Sequence, residues 1–509
     1  MCRGSWCPHR LPGSLEGVVR QWLHAVDHRG VDGDDAILRG EAIMRMLRRS
    51  ISPVKGSYGS ATATNCAPAG TLSTRRWAAA STPATNRLRW PVIRVTLRSR
   101  SRRRGYPMRR GVGRKRALVI TAGLLMTGLA AVTSGSAQAG PTSPGTWVVT
   151  IGDSAISGEA GRWAGNTNGS SNNIDAGGSN AYWDNAGRTG EATPGCHRSE
   201  AAEAHIGGGI SSLNLACSGA RTYTQTGSNF KPGLDWYNGS AGKSQVVRLQ
   251  EFATSNNVEA VTVLIGANNF GFADIVQQCV VNFLTSPSWW KNYCYDDASI
   301  ANRFTASAVE ARTNEVAGAL VNVAQAMANA GYAANDYKII VQTYWSPVPM
   351  GSGVRYSESG YTRQSTGGCG MWNRDADWAN NTAVVKMNQA LTNGAIRAGL
   401  TNYVVMDMSK SLNGHRLCER TVGLLEERGI ANWQSANAAN LTEWVNQIRT
   451  TSTLLGPYQL QESLHANYWG QMAMRNCLRQ AYNGGVVRGG ACTSTGGLNA
   501  NGEPNMVLT

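Results

Sequence analysis

No segment after Val132 is apolar enough to cross a bilayer, and the chain contains no CxxC, no HExxH and no GxSxG. The first absence excludes a membrane-spanning product, and the next two leave no ligand spacing for zinc. The last excludes one common way of presenting a serine on a strand-to-helix turn. Acidic residues are nearly missing from the first 140 positions, which hold 6 of the 32 Asp and Glu but 24 of the 48 Lys and Arg. That prefix therefore carries +18 and residues 141–509 carry −2. The overall charge of +16 reports on the prefix, and no nucleic-acid partner is implied for the rest.

The prefix divides at Met108. A basic stretch, RRGVGRKR, is followed by the 16-residue apolar run at 117–132 and by the small-residue site Ala137-Gln138-Ala139. That order is a secretory signal peptide, with cleavage expected after Ala139, and the run is shorter than the roughly 20 residues of a membrane span. Residues 1–107 lack sustained apolar periodicity. Their Arg-rich run at 87–105 reads either as a nucleic-acid-binding arm or, more simply, as sequence upstream of a start at Met108, since a signal peptide works only at a chain's beginning. The expected organisation is a leading segment at 1–107, a signal peptide at 108–139 and one domain at 140–509, secreted and extracellular. Eight of the eleven cysteines fall in that domain. Export implies oxidising conditions, and pairing in sequence order closes short loops: Cys196 with Cys217, Cys279 with Cys294, Cys369 with Cys418, and Cys477 with Cys492.

Within 140–509 no repeat or long linker appears, and β-rich runs recur at 146–151, 211–217, 258–265, 337–345 and 402–408. Between the third and fourth, Val309, Val316, Leu320, Val323 and Met327 keep one apolar helical stripe, and a second helical stretch spans about 375–399. Alternating strands and helices predict an α/β fold with a central parallel sheet of about five strands, whose ligands bind beyond the strands' carboxyl ends.

Three strands end in residues that carry chemistry. The first breaks at Gly152-Asp153-Ser154, which holds the Ser154 hydroxyl on a rigid element beside a helix N-terminus. Asp153 is expected to bond the turn's backbone. The second strand runs into Ala216-Cys217-Ser218-Gly219-Ala220 and the third into Gly266-Ala267-Asn268-Asn269-Phe270. A backbone N–H at Gly219 and the amide of Asn268 are suitable donors to an oxyanion. Four histidines remain to serve as base. His465 stands three residues after Glu462 and before a helix with Met474, Leu478 and Ala481 on one face, an arrangement in which the acid can orient the ring. His197, His205 and His415 read as structural. His205 opens HIGGG, similar to the glycine-rich oxyanion loop of α/β-hydrolases, but without GxSxG its glycines read as a turn.

In that order GDS, the glycine of ACSGA, GANN and ExxH resemble the four blocks of the SGNH hydrolases, also called GDSL esterases and lipases, over residues 146–483. The resemblance is nearest to the secreted actinobacterial members. It implies a three-layer α/β/α, flavodoxin-like fold, with Ser154 as nucleophile and His465 as base. The implied oxyanion hole comprises the N–H groups of Ser154 and of Gly219 or its neighbour Ser218, with the Asn268 amide. Two positions depart from the family pattern: Asn269 stands where the third block usually has Asp, and Glu462 and Ala466 stand where the last reads DxxHP. Some members orient the histidine with a backbone carbonyl, so either that or Glu462 fills the role here. The implied activity is hydrolysis of lipid or other acyl esters by a soluble monomer without cofactor or metal. A carbohydrate acetyl esterase is the alternative, with Trp289, Trp290, Trp372 and Trp378 as candidate sugar-stacking rings, and a secreted carbohydrate-binding protein with vestigial blocks is a third reading. For an acyl groove, Phe270, Phe272, Trp289 and Trp290 are the apolar candidates.

Overall fold

The computed structural model describes residues 145–450 and 460–509. The leading segment, the expected signal peptide and its cleavage site lie outside the described residues. The first strand, β1 (Thr146–Gly152), is buried on both faces over its second half and leads into a single-turn helix, α1 (Ser154–Ser157). There follow β2 (Ser211–Asn214), α2 (Gln245–Ala253), β3 (Asn257–Leu264), α3 (Phe272–Thr285), α4 (Ala306–Asn329), β4 (Lys338–Gln342), α5 (Val384–Arg397), β5 (Tyr403–Asp407), α6 (Tyr468–Tyr482), β6 (Gly490–Leu498) and β7 (Pro504–Leu508).

One seven-stranded sheet runs β2-β1-β3-β4-β5-β6-β7, parallel throughout except for the β6–β7 pair. Five consecutive residues of β3 are buried, which requires cover on both faces and explains why such strands read as unbroken apolar runs instead of alternating ones. All five expected strands are present. The second ends at Asn214, short of the expected Cys217, yet its backbone still bonds β1, with Leu215 N–H to Thr150 O (2.8 Å) and Cys217 N–H to Gly152 O (3.0 Å). The expected count of about five is corrected to seven. β6 and β7 (GACTSTGGL and PNMVL) form an edge hairpin whose first strand carries three glycines and small polar residues, so it lacks the apolar pattern by which the others were recognised.

Helices α2, α4 and α5 pack side by side, and α6 packs against β6 and β7. The stripe expected at 309–327 lies within α4, where Val316, Leu320, Val323 and Met327 are buried. The helical stretch expected at about 375–399 is present and carries a π-helical segment. A short helix (Asn373–Trp378) passes through a five-residue π-helical stretch (Ala379–Ala383) before α5. There the Asn380 amide donates to Ala376 O and to Val348 O, which draws this turn toward the loop after β4. All four expected disulfides are present, each between cysteines adjacent in sequence order.

Candidate active site

The carboxyl end of β1 is built around one glycine. Gly152 has φ +144°, and a Cβ placed on it would lie 1.9 Å from Leu264 O, so no other residue lets β1 approach the end of β3. The buried Gln245 side chain then clamps that peptide, accepting from Gly152 N–H (2.7 Å) and donating to Gly152 O (2.8 Å) and Pro232 O (2.8 Å). Asp153 caps α1 by accepting from Ala155 N–H (3.0 Å), and its other oxygen accepts from the Tyr344 hydroxyl (2.5 Å). Burial lifts this carboxyl to about 7 against the lowering effect of both bonds. Ser154, the first residue of α1, thus sits on a turn held from below by β3, Gln245 and Tyr344. It is 8% exposed.

His465 meets it from the other side of the sequence, with Nε2 2.7 Å from Ser154 Oγ. Its Nδ1 lies 3.1 Å from Ser463 O. A carbonyl can only accept, so the neutral ring carries its proton on Nδ1 and presents Nε2 as an acceptor toward the serine hydroxyl. The turn that achieves this puts Leu464 at φ +60° and is stitched to the segment before it, Leu464 N–H donating to Asn446 O (3.1 Å) and Asn446 N–H to His465 O (2.9 Å). Asn467 then caps α6, accepting from Trp469 and Gly470 N–H.

Glu462 does not face the ring, and the expectation that it orients His465 is corrected. Its carboxylate accepts from Trp163 Nε1 (2.8 Å) and the Tyr182 hydroxyl (2.5 Å). The tight turn after it leaves the Ser463 carbonyl, not the acid, at Nδ1.

The expected oxyanion donors end up as follows. Ser218 N–H is spent on Cys196 O (3.0 Å), whereas neither Ser154 N–H nor Gly219 N–H donates to any described group. Of the two alternatives, Gly219 is therefore the free one, and its φ of +77° suits glycine. Asn268 Nδ2 donates to Ala220 O (3.0 Å), which binds the third block to the second. Asn269 does similar work: its amide reaches Thr222 Oγ1 and Glu315 Oε2 (both 2.7 Å) and accepts from Thr222 N–H (3.2 Å).

One carboxylate at the site escaped the sequence reading. Glu159, just beyond α1, is 1% exposed and places Oε2 3.5 Å from His465 Nε2. Oε2 also accepts from Ser218 Oγ (2.6 Å), and Oε1 lies 2.9 Å from His197 Nδ1. Burial alone would raise Glu159, but the two histidines and the Ser218 hydroxyl outweigh it and hold the carboxyl at about 2. His197, read as structural, is hydrogen-bonded within this cluster; burial would lower it, but the bond and charge of Glu159 raise it. His205 and His415 keep structural settings, bonded to Ser212 Oγ (2.8 Å) and stacked on Trp444 (3.7 Å) respectively, and burial pushes each down to about 4.

The aromatic candidates separate by burial. Phe270 is buried and stacked on Phe304 (5.2 Å), and Trp372 is buried against Phe283 (4.7 Å), so neither offers a free face to substrate; Trp378 is half-buried and meets Phe304 edge-on. Phe272 lies edge-on to His465 with centroids 6.5 Å apart. Trp289 and Trp290 are 81% and 73% exposed, beyond the far end of α3. Among the described residues one grouping has metal-ligand types, Cys279, Cys294 and Asp375, but its sulfurs are joined in a disulfide.

No protein-family description matches this chain, and no curated protein does. Three solved structures resemble it at low similarity. An extracellular lipase from Streptomyces rimosus is 17% identical with a TM-score of 0.36, over 66% of this chain and 99% of the lipase. A phospholipase A1 from Streptomyces albidoflavus is 17% identical with a TM-score of 0.37, over 66% and 98%. A family two carbohydrate esterase from Clostridium thermocellum is 12% identical with a TM-score of 0.27, over 67% and 63%.

Proposed function

We propose that this protein is a serine ester hydrolase that works through a Ser154–His465 dyad, with the Ser463 carbonyl orienting the histidine. The supporting observation is the single line of contacts Ser463 O, Nδ1–H, Nε2 and Ser154 Oγ, with a 2.7 Å bond at the reacting end. His465 takes the Ser154 proton as Oγ attacks the ester carbonyl carbon. The oxyanion so formed is received by the N–H groups of Ser154 and Gly219 and the remaining N–H of Asn268. Collapse breaks the bond to the leaving alcohol, which His465 protonates. Water then attacks the acyl-enzyme with His465 again as base, releasing the acid and restoring Ser154. In acylation one proton passes from Oγ through Nε2 to the leaving alcohol, in deacylation one passes from water through Nε2 back to Oγ, and the cycle calls on no cofactor or metal. The substrate class is lipid or other acyl esters longer than acetyl, and the protein acts outside the cell after removal of residues up to Ala139, a setting that suits four disulfides.

The test is hydrolysis of p-nitrophenyl esters from acetyl to palmitoyl, beside an acetylated xylan, by wild type, Ser154→Ala and His465→Ala. Both variants are expected to lose about 10⁴- to 10⁶-fold in kcat with the fold intact. Wild-type kcat/KM is expected to rise several-fold from acetyl to butyryl, since each methylene buried in an acyl site contributes up to about 0.8 kcal/mol. Turnover surviving in Ser154→Ala refutes the mechanism, and activity confined to acetyl esters with efficient xylan deacetylation moves the substrate to carbohydrate.

A further inference from the structure

A histidine oriented by a carbonyl has only a peptide dipole at Nδ1, whereas the third acid of a Ser-His-Asp triad supplies a full charge to stabilise the imidazolium. Around His465 a full charge is present at the opposite edge of the ring. Glu159 is the one carboxylate within 4.0 Å of a His465 ring nitrogen among the described residues, with Oε2 3.5 Å from Nε2. At that distance it is a charge contact and not a competing hydrogen bond, so the short bond of Nε2 remains the 2.7 Å one to Ser154.

Resting on the esterase reading above, we infer that Glu159 is a positioning residue for the reaction, whose buried charge stabilises the His465 imidazolium in place of a third acid. The carboxylate is fixed for this role by two donors. His197 holds Oε1, the oxygen away from His465, and the uncharged Ser218 hydroxyl holds Oε2, the oxygen facing it. These donors directly follow Cys196 and Cys217, which are bonded to each other, so one disulfide sets both. Ser218 also precedes Gly219, and the same carboxylate thereby ties the base to the loop that carries an oxyanion donor. When the Ser154 proton moves to Nε2, a positive charge appears between Glu159 and the developing oxyanion. In the form competent for catalysis, whose Nε2 must be unprotonated to accept the Ser154 proton, the charge contact with Glu159 is weak. The contribution therefore belongs to the transition state and the intermediates, and should appear in kcat and not in KM.

The experiment compares kcat, KM and thermal midpoint of wild type, Glu159→Gln, Glu159→Asp and Ser154→Ala on p-nitrophenyl butyrate, with fluorophosphonate labelling of Ser154. Glu159→Gln removes the charge and keeps the shape; it is expected to lower kcat about 10²-fold with KM within about 2-fold of wild type. Glu159→Asp, which keeps the charge one methylene farther away, is expected to recover about 10-fold of that loss. Wild-type kcat in Glu159→Gln overturns the inference, as does a fall in both variants that tracks loss of thermal midpoint with KM rising in step. Should Glu159→Gln not fold, Glu159→Asp decides alone: a lower kcat at unchanged KM supports the role and an unchanged kcat refutes it. Failure of the underlying reading looks different, since Ser154→Ala would then stay active and Ser154 unlabelled.

Discussion

Replacing Glu462 by glutamine separates two ways of building this site that the sequence alone left open. If Glu462 were the orienting acid, its loss should resemble the loss of a triad aspartate, a fall in kcat of about 10⁴-fold. In the structure its carboxylate instead receives the Trp163 indole N–H at 2.8 Å and the Tyr182 hydroxyl at 2.5 Å, and it is 1% exposed. An amide keeps one acceptor oxygen and turns an NH₂ toward a donor, so one charge-assisted bond is lost and one buried donor is left facing another. The expected cost is about 2–3 kcal/mol of stability. The effect on turnover should stay within about 10-fold, transmitted only through the backbone turn in which His465 N–H bonds Glu462 O, because the Ser463 carbonyl is untouched. Steady-state hydrolysis of p-nitrophenyl butyrate, read beside urea unfolding, measures both numbers on one preparation. A kcat reduced 10³-fold or more with an unchanged unfolding midpoint would refute the dyad and restore the acid to the histidine.

Removing the Cys196–Cys217 bridge in a double alanine variant releases a loop whose ends are 21 residues apart, which predicts a loss of about 3 kcal/mol by loop closure, together with lower kcat as His197 and Ser218 lose their anchor. An unchanged unfolding midpoint contradicts that. Glu203 is fully buried, accepts from Gln342 Nε2 (2.8 Å) and is raised by burial to about 8 from an ordinary 4.5. The folded state therefore holds this proton more tightly than the unfolded one, and the stability so linked is complete below about pH 4.5 and lost as pH rises through about 8. Glu203→Gln should match wild type near pH 4 and exceed it at pH 9; equal stabilities at pH 9 would exclude the linkage. N-terminal sequencing of protein from culture supernatant is expected to begin at Gly140, and recovery of a chain beginning at Met1 would remove both the signal-peptide reading and the account of the Arg-rich run as sequence upstream of the start.

What was legible in this sequence was what is local in it. A strand that ends in Gly-Asp-Ser, a second that ends in Ser-Gly and a third that ends in Asn-Asn each declare a position within a few residues, and parallel order brings such ends to one edge of the sheet. The pairing of cysteines followed from short loops. By contrast, β6 and β7 were illegible because an edge hairpin of glycine and small polar residues has no apolar period to read. The choice between Glu462 and a carbonyl stayed open because spacing gives a carboxylate's reach and not its direction: with Leu464 in the left-handed region, the turn delivers a carbonyl to Nδ1 while the acid turns to Trp163 and Tyr182.

Glu159 was missed for a different reason, since its partners are 38, 59 and more than 300 residues away. A signal for it was nonetheless present once the cysteines were paired. Joining Cys196 to Cys217 sets His197 and Ser218 side by side at the end of β2, next to β1 in the sheet, and α1 carries the chain from Ser154 to Glu159 beside them. A buried acid just past a strand-end serine, facing a histidine and a hydroxyl that share one disulfide, is a pattern that can be sought in sequence. It couples an expectation about covalent topology to one about charge, and neither residue class reveals it alone.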